Sequence, residues 1–228
     1  MEDLPLFIPV VFITTTVCSI FFLFIAANFS RVTLLVVVAL LLVQAFLGLR
    51  GFYLVTNSNP PRLLFLLIPP VLLIVLLFAT AAGKRFVRSM NLPALTILHV
   101  IRVPVELILY WLWLHKTVPQ LMTFEGRNWD IFSGISAPFI YYFGIVKKQL
   151  SKKVVIAWNV TCIALLLNIV VNAILSAPVP FQQFAFDQPN IAVLYFPFVW
   201  LPAFIVPLVL FAHLAAIHKL FHLHDSSL

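Results

Sequence analysis

Three ionisable residues lie inside an apolar run of the sequence, in the stretch HVIRVPVE at 99–106. On a helix of 3.6 residues per turn, Arg102 and Glu106 follow His99 by three and seven residues, so all three share one face, which Tyr110 continues. A charge at the middle of a bilayer costs at least about 2.5–3.5 kcal/mol, so such residues pair or line a polar path. The spacing therefore predicts either an i, i+4 ion pair between Arg102 and Glu106 or a functional site on this helix.

Two asparagines on a later apolar run could form the opposite wall of such a site. Asn168 and Asn172 are four residues apart, so they share a helical face, and Asn168 is expected near the depth of Glu106. Pro104 cannot donate a backbone hydrogen bond and favours a kink between the two charges. We expect a hydrated cavity bounded by these groups; the alternative is that the asparagines only hydrogen-bond neighbouring helices.

A second histidine suggests different chemistry. His213 lies about as far from its end of the last apolar run as His99 does from its own. Equal depth is what two axial ligands of a haem, or two ligands of one metal ion, would need. The pair could also act as acid and base groups in an enzyme. A haem or a metal ion is the cofactor that such a pair would hold.

The stretch FEGRNWD at 124–130 has mixed charge and follows the run that carries Glu106. Glu125, Arg127 and Asp130 could orient a ligand at an external mouth of the cavity. The alternative is local: Asp130 caps a helix that begins at Ile131, and Glu125 pairs with Arg127.

The whole chain must position these residues in an apolar environment. Of its 228 residues, 63% are hydrophobic and only 9% are charged, against about a quarter charged in soluble domains, and the mean hydropathy is +1.12. These values predict an all-α integral membrane protein, folded as one domain over 1–228. Seven runs long enough for spans are bounded by charges, Pro, Gly or Asn: 6–27, 32–49, 63–82, 94–114, 131–146, 154–175 and 193–218.

The basic residues between these runs predict an orientation. Nine Lys and Arg residues fall on one side and four on the other, and the richer side is expected to be cytoplasmic, with the N-terminus outside. The same rule accounts for the net charge of +7 without a nucleic-acid partner. We therefore expect a multi-pass protein of a plasma or inner membrane.

The sequence favours a small permease or channel-like protein for a solute or proton. It has no P-loop, no G-x-S-x-G and no H-E-x-x-H motif, and the last run has no Lys for a retinal Schiff base. Two alternatives stay open: a membrane-embedded enzyme or redox protein using His99 and His213, and an accessory subunit that binds a protein partner. A homo-oligomer is compatible with each of these hypotheses.

Overall fold

The computed structural model describes residues 4–222, and within that range it is helical, without strands. The α-helices are α1 (Phe7–Ala26), α2 (Arg31–Leu49), α3 (Leu64–Ala79), α4 (Ala81–Ser89), α5 (Leu92–Ile97), α6 (Arg102–Leu114), α7 (Ile131–Phe139), α8 (Lys152–Leu175) and α9 (Val206–His222). A 3-10 turn over Leu98–Ile101 joins α5 to α6, and π-helical turns over Ile140–Val146 and Leu201–Ile205 extend α7 and precede α9.

Several of these helices could span a membrane. Five continuous helices of the described chain are long and apolar enough: Phe7–Ala26, Arg31–Leu49, Leu92–Leu114, Lys152–Leu175 and Leu201–His222. The pair α3 and α4 would make a sixth, and Ile131–Val146 is shorter. The predicted all-helical fold, with several apolar helices that could span a membrane, is therefore confirmed. The last continuous helix begins at Leu201, not at 193, because residues 195–199 form a bend and a turn.

The predicted run 63–82 is interrupted by a sharp turn. Helices α3 and α4 meet at an angle of 93°. The Thr80 hydroxyl accepts a hydrogen bond from the Gly83 backbone N–H at 3.1 Å, which caps α4. A Cβ atom at Gly83 would lie 2.3 Å from the Leu77 carbonyl oxygen, so only glycine permits this approach. Helix α4 consequently lies across the end of α3.

Contacts gather most of the basic residues at one end of the bundle. The Asn91 N–H donates to the Ala26 carbonyl at 2.8 Å, and Lys219 Nζ donates to the Arg88 carbonyl at 3.1 Å. Leu92 packs in one apolar cluster with Val155 and Leu220. This end, called the basic end, carries Arg31, Lys84, Arg85, Arg88, Lys147, Lys148, Lys152, Lys153 and Lys219.

The two long connections meet at the opposite end, called the loop end. The Ile191 N–H donates to the Thr117 carbonyl at 3.0 Å, and the Gln188 side chain donates to the Trp113 carbonyl at 3.1 Å. Two stretches occupy the centre of the bundle: 67% of the Leu92–Leu114 window and 61% of the Leu201–His222 window are buried, against 17% for α2. The ionisable residues of the sequence analysis lie on these two central stretches.

Candidate functional site

Residues 117–130, called the dipping segment, fold back from the loop end into the bundle. Asn168 donates to the Arg127 carbonyl at 2.7 Å, and Asn168 lies seven residues before the end of α8, or roughly 10 Å along the helix axis. Gly126 makes the tight fold possible, because a Cβ there would lie 2.2 Å from the Gln120 carbonyl oxygen. The segment therefore brings its last residues to the middle of the bundle.

Arg102 binds Asp130, the last residue of the dipping segment. Arg102 Nε donates to Asp130 Oδ2 at 2.7 Å, and Nη2 pairs with Oδ1. Both residues are at most 4% exposed. This bidentate contact is the one ion pair found within residues 4–222. The i, i+4 spacing suggested Glu106 as the partner; the structure corrects this, since the dipping segment delivers a second carboxylate with better geometry.

The capping interpretation of Asp130 is also corrected. Asp130 occupies the N-cap position of α7, but its side chain makes no cap hydrogen bond because Arg102 engages both carboxylate oxygens. Helix α7 approaches Arg102 closely at Gly134, where a Cβ would meet Val103 Cγ2 at 2.8 Å. That close approach holds Asp130 within reach of the guanidinium.

Glu106 has an amide partner instead of a cation. Asn128 Nδ2 donates to Glu106 Oε1 at 2.7 Å and to Oε2 at 2.6 Å, and also contacts the Met122 carbonyl at 3.0 Å. Asn128 Oδ1 accepts from the Asp130 N–H at 3.1 Å. Glu106 is 2% exposed, and no basic side chain of the described chain forms an ion pair with it.

His213 extends the network toward α8. Arginine only donates, so the 3.1 Å contact of Arg102 Nη1 makes His213 Nε2 an acceptor. The proton of the neutral ring therefore lies on Nδ1, which donates to Asn159 Oδ1 at 2.8 Å. Asn159 in turn donates to the Val155 carbonyl at 2.8 Å. The chain from Asp130 to Asn159 fixes one tautomer of His213.

His99 lies flat against His213. Their ring centroids are 3.6 Å apart and the ring planes differ by 11°, while Trp158 meets both rings edge-on. Neither ring nitrogen of His99 has a hydrogen-bond partner in the described chain. Axial ligation of a haem needs two imidazole nitrogens that point at each other from opposite faces of the haem, whereas these rings are stacked face to face. The structure therefore brings the two histidines together, but in an orientation that does not suit a shared metal ion.

A cavity of about 80 Å³, called the Glu106 cavity, opens beside Glu106. Its volume is several times the roughly 10–15 Å³ that one water molecule needs. Glu106, Asp130 and Asn190 supply its polar lining, and the remaining lining residues are apolar, from α3, α6, α8, the loop end and residues 201–206. The lining therefore includes two acidic residues, of which only Asp130 is paired with a cation.

The other predicted residues lie around this centre. Asn168 contacts both Asn172 and the dipping segment, and neither asparagine lines the Glu106 cavity. Tyr110 stacks on Phe124 with ring centroids 5.1 Å apart. The three residues predicted at the external mouth do not lie together. Asp130 is buried and Glu125 is exposed. Arg127 is also exposed, and its guanidinium lies over the ring of Phe184, 5.8 Å from the ring centroid.

Sequence reasoning missed several polar residues that the fold brings to the site. Asn128 lies between Arg127 and Asp130, in a stretch that the sequence analysis predicts to be external. Asn159 and Trp158 lie on α8, where no neighbouring residue in the sequence is charged. The signal available for Asn128 was its position two residues before Asp130, within a segment that Gly126 allows to turn. The inward fold of that segment is a tertiary feature, which residue spacing does not encode.

The arrangement contains one carboxyl without a counter-charge at a small cavity, and a second carboxyl paired with Arg102, which also donates to His213. No curated protein and no solved structure matched the chain. A family model described as a domain of unknown function, DUF8737, matches residues 60–221. That range covers more than two-thirds of the chain and contains His99, Arg102, Glu106, Asp130 and His213. The chain therefore belongs to the DUF8737 family.

Proposed function

We propose that this protein is a multi-pass membrane permease that binds a small solute in the Glu106 cavity and uses the Glu106 carboxyl as its exchangeable group. One observation carries the proposal: Glu106 is buried at the lining of the cavity without a cationic partner, while Arg102 is engaged by Asp130. A carboxylate buried without a counter-charge is costly. The site therefore favours either a proton on Glu106 or a positive charge in the cavity.

A purely structural role would not require a carboxyl at this position. Asn128 donates to both oxygens, and a neutral side chain could accept such a bond without the cost of a buried charge. Ionisable residues within membrane helices commonly mark ion or proton pathways. The presence of Glu106 is best explained by exchange between a proton and a cation.

The lining of the cavity indicates the class of solute. Its walls are apolar apart from Glu106, Asp130 and Asn190, so a bound molecule would place a positive charge beside Glu106 and alkyl groups against the remaining walls. Small organic ammonium ions have this character. We propose exchange of such a cation for the Glu106 proton, which would keep the site neutral in both states.

The dipping segment would gate the loop-end side of the cavity. It carries Asn128, which holds Glu106, and Asp130, which holds Arg102. Outward movement of this one segment would therefore break both contacts together and open the cavity toward the loop end. The positive-inside rule places the basic end in the cytoplasm, so we propose that this gate faces the outside.

The test is cation-driven proton movement in proteoliposomes loaded with a pH-sensitive dye. Tetramethylammonium is the probe, because its permanent charge prevents passive diffusion, and neutral tert-butanol controls for shape. We expect inward movement of radiolabelled tetramethylammonium to be accompanied by proton efflux. Glu106→Gln should reduce both fluxes more than tenfold, whereas Glu125→Gln, at an exposed carboxyl of the same dipping segment, should leave both within twofold of wild type.

The outcomes are distinct. Equal fluxes in wild type and Glu106→Gln would remove Glu106 from the mechanism. Cation uptake without proton efflux would contradict exchange, and no uptake of tetramethylammonium by wild type, above protein-free liposomes, would overturn the assignment of an organic cation as the solute.

A further inference from the structure

A second concave region lies toward the basic end of the bundle. It is an apolar groove of about 260 Å³ between α1, α2, α3 and α9, called the lipid groove here. Its lining includes Leu23, Val36, Ile74, Leu77, Phe86 and Phe211. The lining is apolar except for Thr33, so its occupant must be hydrocarbon in character.

Helix α4 borders one end of the lipid groove. The 93° turn after α3 sets α4 across the helix ends, and Phe86 of α4 contributes to the groove wall. On the same short helix Arg85 and Arg88 are exposed and Lys84 is partly exposed. Lys219 donates to the Arg88 carbonyl at 3.1 Å and so fixes the end of α4. An apolar wall and a set of cationic groups thus share one helix.

The charged side chains that the structure describes at the basic end are all positive. Arg31 is exposed and adjoins Val32 and Thr33, which also line the groove. Within residues 4–222, the acidic side chains are confined to the bundle interior and the loop end: Glu106, Glu125, Asp130 and Asp187. The mouth of the lipid groove at the basic end is therefore suited to an anion attached to a hydrocarbon chain.

We propose that the lipid groove holds an acyl chain of an anionic phospholipid whose phosphate is bound by Lys84, Arg85 and Arg88, with Arg31 beside it. Basic residues at a membrane surface attract anionic headgroups, each contributing about fivefold in affinity at low ionic strength. In a membrane, the right-angled turn between α3 and α4 would set these residues at the level of the headgroups. This site uses none of the residues of the Glu106 cavity and stands independently of the proposed transport.

The experiment is native mass spectrometry of the purified full-length protein, titrated with dioleoyl phosphatidylglycerol, dioleoyl phosphatidylcholine or inorganic phosphate. We expect one tightly bound phosphatidylglycerol per chain, held at least tenfold more tightly than phosphatidylcholine. Joint replacement of Lys84, Arg85 and Arg88 by Gln should weaken phosphatidylglycerol binding by at least tenfold. The matched control replaces Lys147, Lys148 and Lys153 by Gln at the same end and should change binding less than threefold.

A second variant tests the groove itself. Val36 is 48% exposed and lines the lipid groove, so Val36→Trp fills the groove without disturbing the interior and should also lower phosphatidylglycerol affinity at least tenfold. Unchanged binding in Val36→Trp would contradict acyl-chain occupancy. Equal binding of the two lipids, equal losses in both triple variants, or an equally tight complex with inorganic phosphate would overturn the assignment of an anionic phospholipid.

Discussion

The Arg102–Asp130 contact gives the sharpest prediction about stability. Replacing Asp130 by Asn would leave the Arg102 guanidinium, 2% exposed, without its counter-charge. Removing one partner of a buried ion pair costs about 3–5 kcal/mol. For a chain of this size each kcal/mol corresponds to roughly 2–4 °C in Tm, so Asp130→Asn should lower the Tm by roughly 6–20 °C.

The assay is thermal unfolding in detergent, followed by the loss of helical circular dichroism. Glu125→Gln is the matched control: it removes an exposed carboxyl from the same dipping segment and should change the free energy of unfolding by less than about 0.5 kcal/mol. Joint replacement of Arg102 by Met and Asp130 by Leu should recover most of the lost stability, because neither charge is then left buried alone.

Glu106→Gln separates the observed pairing from the pairing that the i, i+4 spacing suggests. A Gln at 106 can still accept from Asn128, so this variant should be as stable as wild type or more stable. If Glu106 were the partner of Arg102, Glu106→Gln would be the more damaging change. Greater destabilisation by Glu106→Gln than by Asp130→Asn would refute the account of the charge network.

Two further predictions concern the residues that hold this network. Gly134→Ala should lower the free energy of unfolding by about 1–3 kcal/mol, because the new Cβ would lie 2.8 Å from Val103 Cγ2. Thermal unfolding should show a smaller loss of stability for Gly48→Ala, where the nearest atom to the new Cβ would be 3.3 Å away. His213→Phe keeps the ring stacking but removes the acceptor for Arg102, which should cost about 1–3 kcal/mol. A variant as stable as wild type would contradict the assigned hydrogen bonds of His213.

The sequence was sufficient to predict the helical class and the helical stripe that carries the ionisable residues. Continuous apolar runs bounded by charges predicted helices close to those observed, because backbone groups in an apolar environment must be satisfied within each helix. The helical stripe through His99, Arg102 and Glu106 was predictable for the same reason, since side-chain direction follows from the helix period. These features depend on local geometry alone.

The partners of those residues could not be predicted. Asp130 and Asn128 reach Arg102 and Glu106 only because the dipping segment folds inward, and that depends on the Gly126 turn and on the close packing of α7 at Gly134. The break between α3 and α4 likewise depends on a backbone approach at Gly83. A hydropathy pattern records whether a residue prefers an apolar environment, but not which distant segment will meet it.

The central claim is that Glu106 exchanges its proton for a cation in the Glu106 cavity. Infrared difference spectroscopy, with and without tetramethylammonium, tests it most directly because a protonated carboxyl has its own C=O stretching band. The account predicts that cation binding removes this band in wild type and that the difference signal is absent in Glu106→Gln but retained in Glu125→Gln. A band that persists when the cation is bound, or a signal that survives in Glu106→Gln, would contradict the claim.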